Sequence, residues 1–178
     1  MKKTVLTFGL ISGVISTLLM VANLPFMHKE SSSTGLVVGY TAIVLSFMLV
    51  FFGIRSYREN VGNGEITFGS AFLVGIGITL ISCAFYVATW EIIYFKFMPN
   101  IMDDYGSHTI EKLRAAGAAA EVIQAKANEF SQLRENLKNP FFNSAMTFLE
   151  PFPVGLLITL ISAGALRKKR KVQMAAAS

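Results

Sequence analysis

The chain has 178 residues, of which 53% are hydrophobic and only 15% charged, where a soluble domain carries about 25% charge. With a mean hydropathy of +0.52, that deficit argues against a free soluble domain. The net charge of +5 comes mostly from one run, "RKKRK" at 167–171, and is a topology signal before it is a nucleic-acid signal. No aromatic-basic interleaving marks a nucleic-acid surface, and the single cysteine, Cys83, excludes an intramolecular disulfide.

A spanning helix needs about 20 apolar residues, because the hydrocarbon core is about 30 Å thick and each residue rises about 1.5 Å. The first run that qualifies covers residues 4–27. Lys2 and Lys3 resemble the start of a signal peptide. The apolar core, however, exceeds the usual length of about 7–15 residues and no A-x-A site follows, so an uncleaved span is expected. Gly9 and Gly13 form a G-x-x-x-G pair, a weak signal for close helix packing. The second run covers 35–54 and ends at Arg55 and Arg58. Gly62-Asn63-Gly64 then reads as a turn, and Thr67 is placed to cap the next helix.

The third run, 68–97, is long enough to tilt or to project beyond the bilayer. Ala71, Gly75 and Thr79 give it a small-residue face. Tyr86, Trp90 and Tyr94 recur at i, i+4 and i+8, the spacing of an interfacial aromatic belt, with Glu91 beside them as an interfacial acid. In "MPNIMDDYGSH", Pro99 and Gly106 are expected to end this helix, and Asp103 or Ser107 to cap a new one.

Residues 107–138 are unlike the rest. Leu113, Ala116, Ala120, Ile123, Ala127, Phe130, Leu133 and Leu137 recur in steps of three and four, with acids and bases between them. The spacing predicts one extramembrane amphipathic helix of about 30 residues, about 45 Å long. Its stripe is thin at 115–120. It is free to lie on the membrane, pair with a partner helix or fold against the spans, and its balanced charge argues against a strongly basic lipid-binding helix.

The fourth run, 141–166, carries Glu150, Pro151 and Pro153 in "TFLEPFPVG". Gly155, Thr159 and Ala163 give it a small-residue face. Arg167, Lys168, Lys169, Arg170 and Lys171 follow and are expected to meet anionic lipid headgroups; 172–178 is expected to be a short disordered tail. Lys2, Lys3, Arg55, Arg58 and the 167–171 run all fall on one side of a four-span chain. That predicts both termini in the cytoplasm.

Two segments carry a family resemblance. "ITFGSAFLVGIGITLISCAFYVATWEIIYFKFMPN" and "NPFFNSAMTFLEPFPVGLLITLISAGALRKKRK" resemble the bacterial membrane family called domain of unknown function 4199, over essentially the whole chain. The "PVGL" of the family pattern stands at 153–156, and its acid is Glu150. The resemblance implies a small four-span membrane protein and brings no catalytic residues with it.

Glu91 and Glu150 are the two acids in or beside the spans. Measured from Phe68 and Leu166, Glu91 lies about 35 Å and Glu150 about 24 Å along the helix axes. That places Glu91 at the outer interface and Glu150 inside the outer third of the core. A carboxylate there costs about 2.5–3.5 kcal/mol on insertion scales. Pro151 and Pro153 also free the carbonyls of Thr147 and Leu149. The candidate proton or ion site is therefore Glu150, Thr147, Pro151 and Pro153, set against a structural kink with a satisfied glutamate.

His28 and His108 lack metal-ligand spacing, and no nucleophile-base set or phosphate loop appears. The expectation is an all-α, four-helix integral membrane bundle, one domain over 1–171, in the inner membrane. No cofactor, metal or enzymatic activity is expected. Its partners are the lipid bilayer and either a second copy or a membrane protein, met through the small-residue faces of Gly9, Gly13, Ala71, Gly75 and Gly155 and the external helix. The alternative is a small proton- or cation-coupled transporter using Glu150.

Overall fold

The computed structural model describes residues 1–27 and 32–168, with side chains at 1–24 and 37–168. His28, Lys169, Arg170, Lys171 and the 172–178 tail lie outside the described residues. The described chain is helical: α1 (Lys2–Met27), α2 (Ser32–Asn60), α3 (Phe68–Ile92), a π-helical stretch (Ile93–Phe97), α4 (Ile101–Ala115), α5 (Ala120–Leu137), α6 (Pro140–Leu149) and α7 (Pro151–Leu166). Four stretches are long and apolar enough to cross a membrane: Lys2–Leu24, Val37–Asn60, Phe68–Phe97 and Pro140–Leu166. The fold is that of a multi-pass, all-helical membrane protein. Contacts divide the chain into two compact units: Met1–Tyr86 with Leu149–Ser178, and Val87–Phe148.

In the first unit the register of the helices can be read from close approaches. A Cβ added to Gly9 would lie 2.9 Å from the Cβ of Ile81, one on Gly13 would lie 2.6 Å from the Cγ of Phe85, and one on Gly77 would lie 2.8 Å from Val5. Each step of four along α1 is matched by four along α3, so the two helices run parallel and their backbones meet through glycine. The hydroxyl of Ser12 donates to the Ser46 carbonyl at 2.9 Å, tying α1 to α2.

α7 runs antiparallel to α3. The start of one and the end of the other are fixed by a two-bond bridge, with the Ile66 N–H on the Lys168 carbonyl at 3.1 Å and the reverse bond at 2.9 Å. Farther along, the hydroxyls of Thr79 and Thr159 meet at 3.0 Å. The local chemistry explains the ends. Asn63 and Gly64 take φ of 51° and 85°, the left-handed turn that Gly62-Asn63-Gly64 predicts. The Ser70 N–H is capped by the Thr67 hydroxyl at 3.2 Å. Arg58 donates to the Leu166 carbonyl at 3.4 Å, satisfying one of the free carbonyls that end α7.

The second unit departs from the expected single helix over 107–138. That segment is part of a hairpin of α4 and α5, because α4 ends at Ala115. Gly117 has φ +70°, its N–H bonds the Arg114 carbonyl at 3.0 Å, and the Ala118 N–H reaches back to the Leu113 carbonyl at 3.0 Å. This is a Schellman ending, in which glycine supplies the left-handed residue at no steric cost.

The capping expectation is also corrected. α4 begins at Ile101 with Asn100 in the cap position. Asp103 sits in its first turn and pairs with Arg134 of α5 at 3.2 Å. Gly106 does not end a helix; it is buried inside α4 and faces Phe130 of α5. The apolar stripe closes this hairpin: Leu113, Ile123, Ala127, Phe130 and Leu133 are partly buried and Leu137 is buried, while Ala116 and Ala120 at the turn are exposed.

Candidate functional site

The fourth candidate span contains the expected interruption. α6 ends at Leu149, and α7 begins at Pro151, whose missing N–H costs nothing at a first helical position. Glu150 lies at the break with helical angles of φ −74° and ψ −59°. Pro151 is buried and Pro153 exposed. Across from the break on α3, the Tyr86 hydroxyl donates to the Glu150 carboxylate (Oε2) at 3.0 Å. This contact continues the antiparallel register of Ile66 with Lys168 and of Thr79 with Thr159. Glu150 is more than a third exposed and sits on an outer face with Leu149, Pro153 and Leu157, which are exposed too.

The structure does not bring Thr147 to Glu150 through a hydrogen bond. Thr147 belongs to the second unit, where its hydroxyl donates to the side-chain oxygen of Asn143 at 3.3 Å. Asn143 is fully buried. It also accepts from the Trp90 indole N–H at 3.1 Å and donates to the Leu137 carbonyl at 3.3 Å. A buried amide is tolerated only when such partners replace water. Glu91 is reached by the Ser144 hydroxyl at 3.0 Å. Lys96 makes no ion pair among the described residues.

The aromatic face thus has separate duties. Interfacial anchoring is expected of Tyr86, Trp90 and Tyr94. Within the protein, the Tyr86 hydroxyl bonds Glu150 and the Trp90 indole bonds Asn143. Tyr94, only 5% exposed, belongs to an apolar cluster with Ile101 and Leu137. Reading the sequence missed the Asn143 junction. Its one signal is the i, i+4 pair of Asn143 and Thr147 in a mostly apolar run.

The small-residue positions are occupied within the first unit. A Cβ on Gly75 would lie 2.7 Å from the Thr159 methyl and 3.0 Å from Ile54, and one on Gly155 would lie 2.5 Å from the Thr79 methyl and 2.8 Å from Phe47. Ala71 is fully buried. Arg167 and Lys168 are exposed. Among the described residues, no group of three or more His, Cys, Asp or Glu is arranged to hold a metal.

No curated protein and no solved structure matches the chain. A family profile does, over residues 7–168, and the chain belongs to the DUF4199 family, whose description is a protein of unknown function.

Proposed function

We propose that this is a bacterial inner-membrane protein with both termini in the cytoplasm and a non-enzymatic role, assembling with itself or with another membrane protein. The observation that carries the reading is the surface of the first unit, which is apolar where that of a soluble bundle is polar. The unit buries the hydroxyls of Ser12, Ser16, Ser46, Thr79, Ser82, Thr159 and Ser162 while Leu6, Leu10, Val14, Leu18 and Leu157 stand exposed. Such an arrangement is stable where hydrocarbon surrounds the protein and hydroxyls hold the helices together. The parallel register of α1 with α3, and the contacts of Arg58 and Lys168, gather Lys2, Lys3, Arg55, Arg58, Arg167 and Lys168 toward one end, which supports a cytoplasmic end for that face.

The small-residue faces are filled from within, so assembly falls to the α4–α5 hairpin. Cys83 is the only cysteine and is buried, which makes single-cysteine crosslinking clean. Ala120→Cys, at the exposed start of α5, is expected to give a crosslinked adduct in native membranes. Ala127→Cys, which lines the groove between α4 and α5, is expected to stay monomeric. No adduct from Ala120→Cys would end the assembly reading for this hairpin.

A further inference from the structure

We propose that Glu150, with the Tyr86 hydroxyl beside it, is a proton-binding site on the outer surface of the first unit: a carboxylic acid that holds its proton while facing hydrocarbon. Three observations lead there. The first is depth. The Ile66–Lys168 bridge fixes the lower ends of α3 and α7, and Glu150 stands about 24 Å along the axis from Leu166. On the membrane placement proposed above, that is inside the bilayer core, about 30 Å thick.

The second is surroundings. Glu150 is exposed among Leu149, Pro153 and Leu157, so its carboxyl meets whatever surrounds the protein and not a buried cavity. The third is the lack of a counter-charge. The ionisable group of α3 that faces it is Tyr86, which has Tyr40 of α2 and Cys83 of α3 as its own neighbours. Among the described residues, no lysine, arginine or histidine is an electrostatic neighbour of Glu150. On that placement, a carboxylate there has the Tyr86 hydroxyl as donor and no cation beside it among the described residues. A neutral acid avoids the cost of burying an unpaired charge. Pro151 at the start of α7 and Pro153 two residues later leave carbonyls without helical N–H partners, which gives the break local polarity without supplying charge.

The inference is read by a hydrocarbon-soluble carbodiimide in native membranes. The reagent reacts with the protonated acid. The carboxyl proton moves to a carbodiimide nitrogen, its oxygen bonds the central carbon, and the acyl group then migrates from oxygen to nitrogen as a stable N-acylurea. No other reactant is consumed.

Peptide mass spectrometry is expected to find the adduct on Glu150, and on no peptide residue at that position in Glu150→Gln. The decisive readout is pH. A glutamate in water has an ordinary value of about 4.3, so its labelling falls about tenfold per unit between about pH 6 and 8. Labelling of Glu150 is expected to stay level over that range and to exceed that of the exposed Glu121 by about five-hundredfold at pH 7. Tyr86→Phe removes a donor that favours the ionised form, and is expected to label at least as fast. A tenfold fall per unit at Glu150, or labelling only by a water-soluble carbodiimide with an added amine, would overturn the inference. The same samples, washed at alkaline pH, report separately whether the protein remains in the membrane, so failure of the site and failure of the membrane placement are told apart.

Discussion

At the scale of single residues, glycine decides how closely the helices approach, and the structure ranks the positions. A methyl group at Gly155 has nowhere to go between Thr79 and Phe47, whereas a Cβ on Gly164 meets nothing within 4 Å. Gly155→Ala is therefore expected to destabilise by about 1–3 kcal/mol through overpacking. Gly164→Ala is expected to be neutral or slightly stabilising, because alanine is the better helix former. Thermal unfolding of the detergent-solubilised protein separates the two. The G-x-x-x-G spacing was legible in the sequence, but the partner of each glycine was not. A small-residue pattern states that something comes close without saying whether it is a neighbouring helix or a second copy. Asn143 was less legible still, since its value comes largely from Trp90, 53 residues away in the chain. Trp90 is the sole tryptophan, so its fluorescence reports the junction alone. Asn143→Leu is expected to leave the indole N–H without its acceptor, shift the emission to the blue and cost about 1–3 kcal/mol for the unmet buried groups.

At the scale of elements, the four spans were readable because each is a long run with an uncomplicated apolar average, and length alone tells a spanning helix from a core helix. The segment between the third and fourth spans was misread as one helix because its apolar spacing of three and four continues across the break, while a single glycine in an alanine run looks harmless by propensity. The left-handed Gly117 and its two backward hydrogen bonds overrule the periodicity and fold the stripe onto itself. The consequence is testable. Gly117→Ala forces a Cβ into a left-handed backbone, at a cost of about 1–2 kcal/mol. Either the hairpin loosens or the chain straightens toward one continuous helix. In both cases amide hydrogen exchange is expected to change around 113–120 and at the Asp103–Arg134 pair, while exchange in α1 and α2 stays as it is. Unchanged protection throughout would mean that the Schellman turn does not hold the hairpin.

At the scale of the whole molecule, basic residues and hydrocarbon answer different questions. The apolar surface explains why the protein sits in a membrane; it is indifferent to which way up. Lys2, Lys3, Arg55, Arg58, Arg167 and Lys168 break that symmetry. They lie at the start of α1, the end of α2 and the end of α7, and the packing brings those ends together: α1 runs parallel to α3, Arg58 holds the last turn of α7, and the Ile66–Lys168 bridge closes the α3–α7 pair. If all four candidate spans cross, as proposed above, an odd number of crossings separates these ends from the α4–α5 hairpin and the hairpin is expected on the opposite side; its own bases do not oppose this, because long translocated segments are insensitive to their charge. Single-cysteine labelling tests the argument without disturbing the fold, since Cys83 is buried and both test positions are exposed. With a membrane-impermeant maleimide on intact spheroplasts, Ala120→Cys is expected to react at once. Val61→Cys, 53% exposed in the turn after α2, is expected to react only after the membrane is opened. If Val61→Cys labels first, the basic end faces outward and the orientation is reversed. If both label together in intact cells, the number of crossings between them is even, and one of the four apolar helices does not cross.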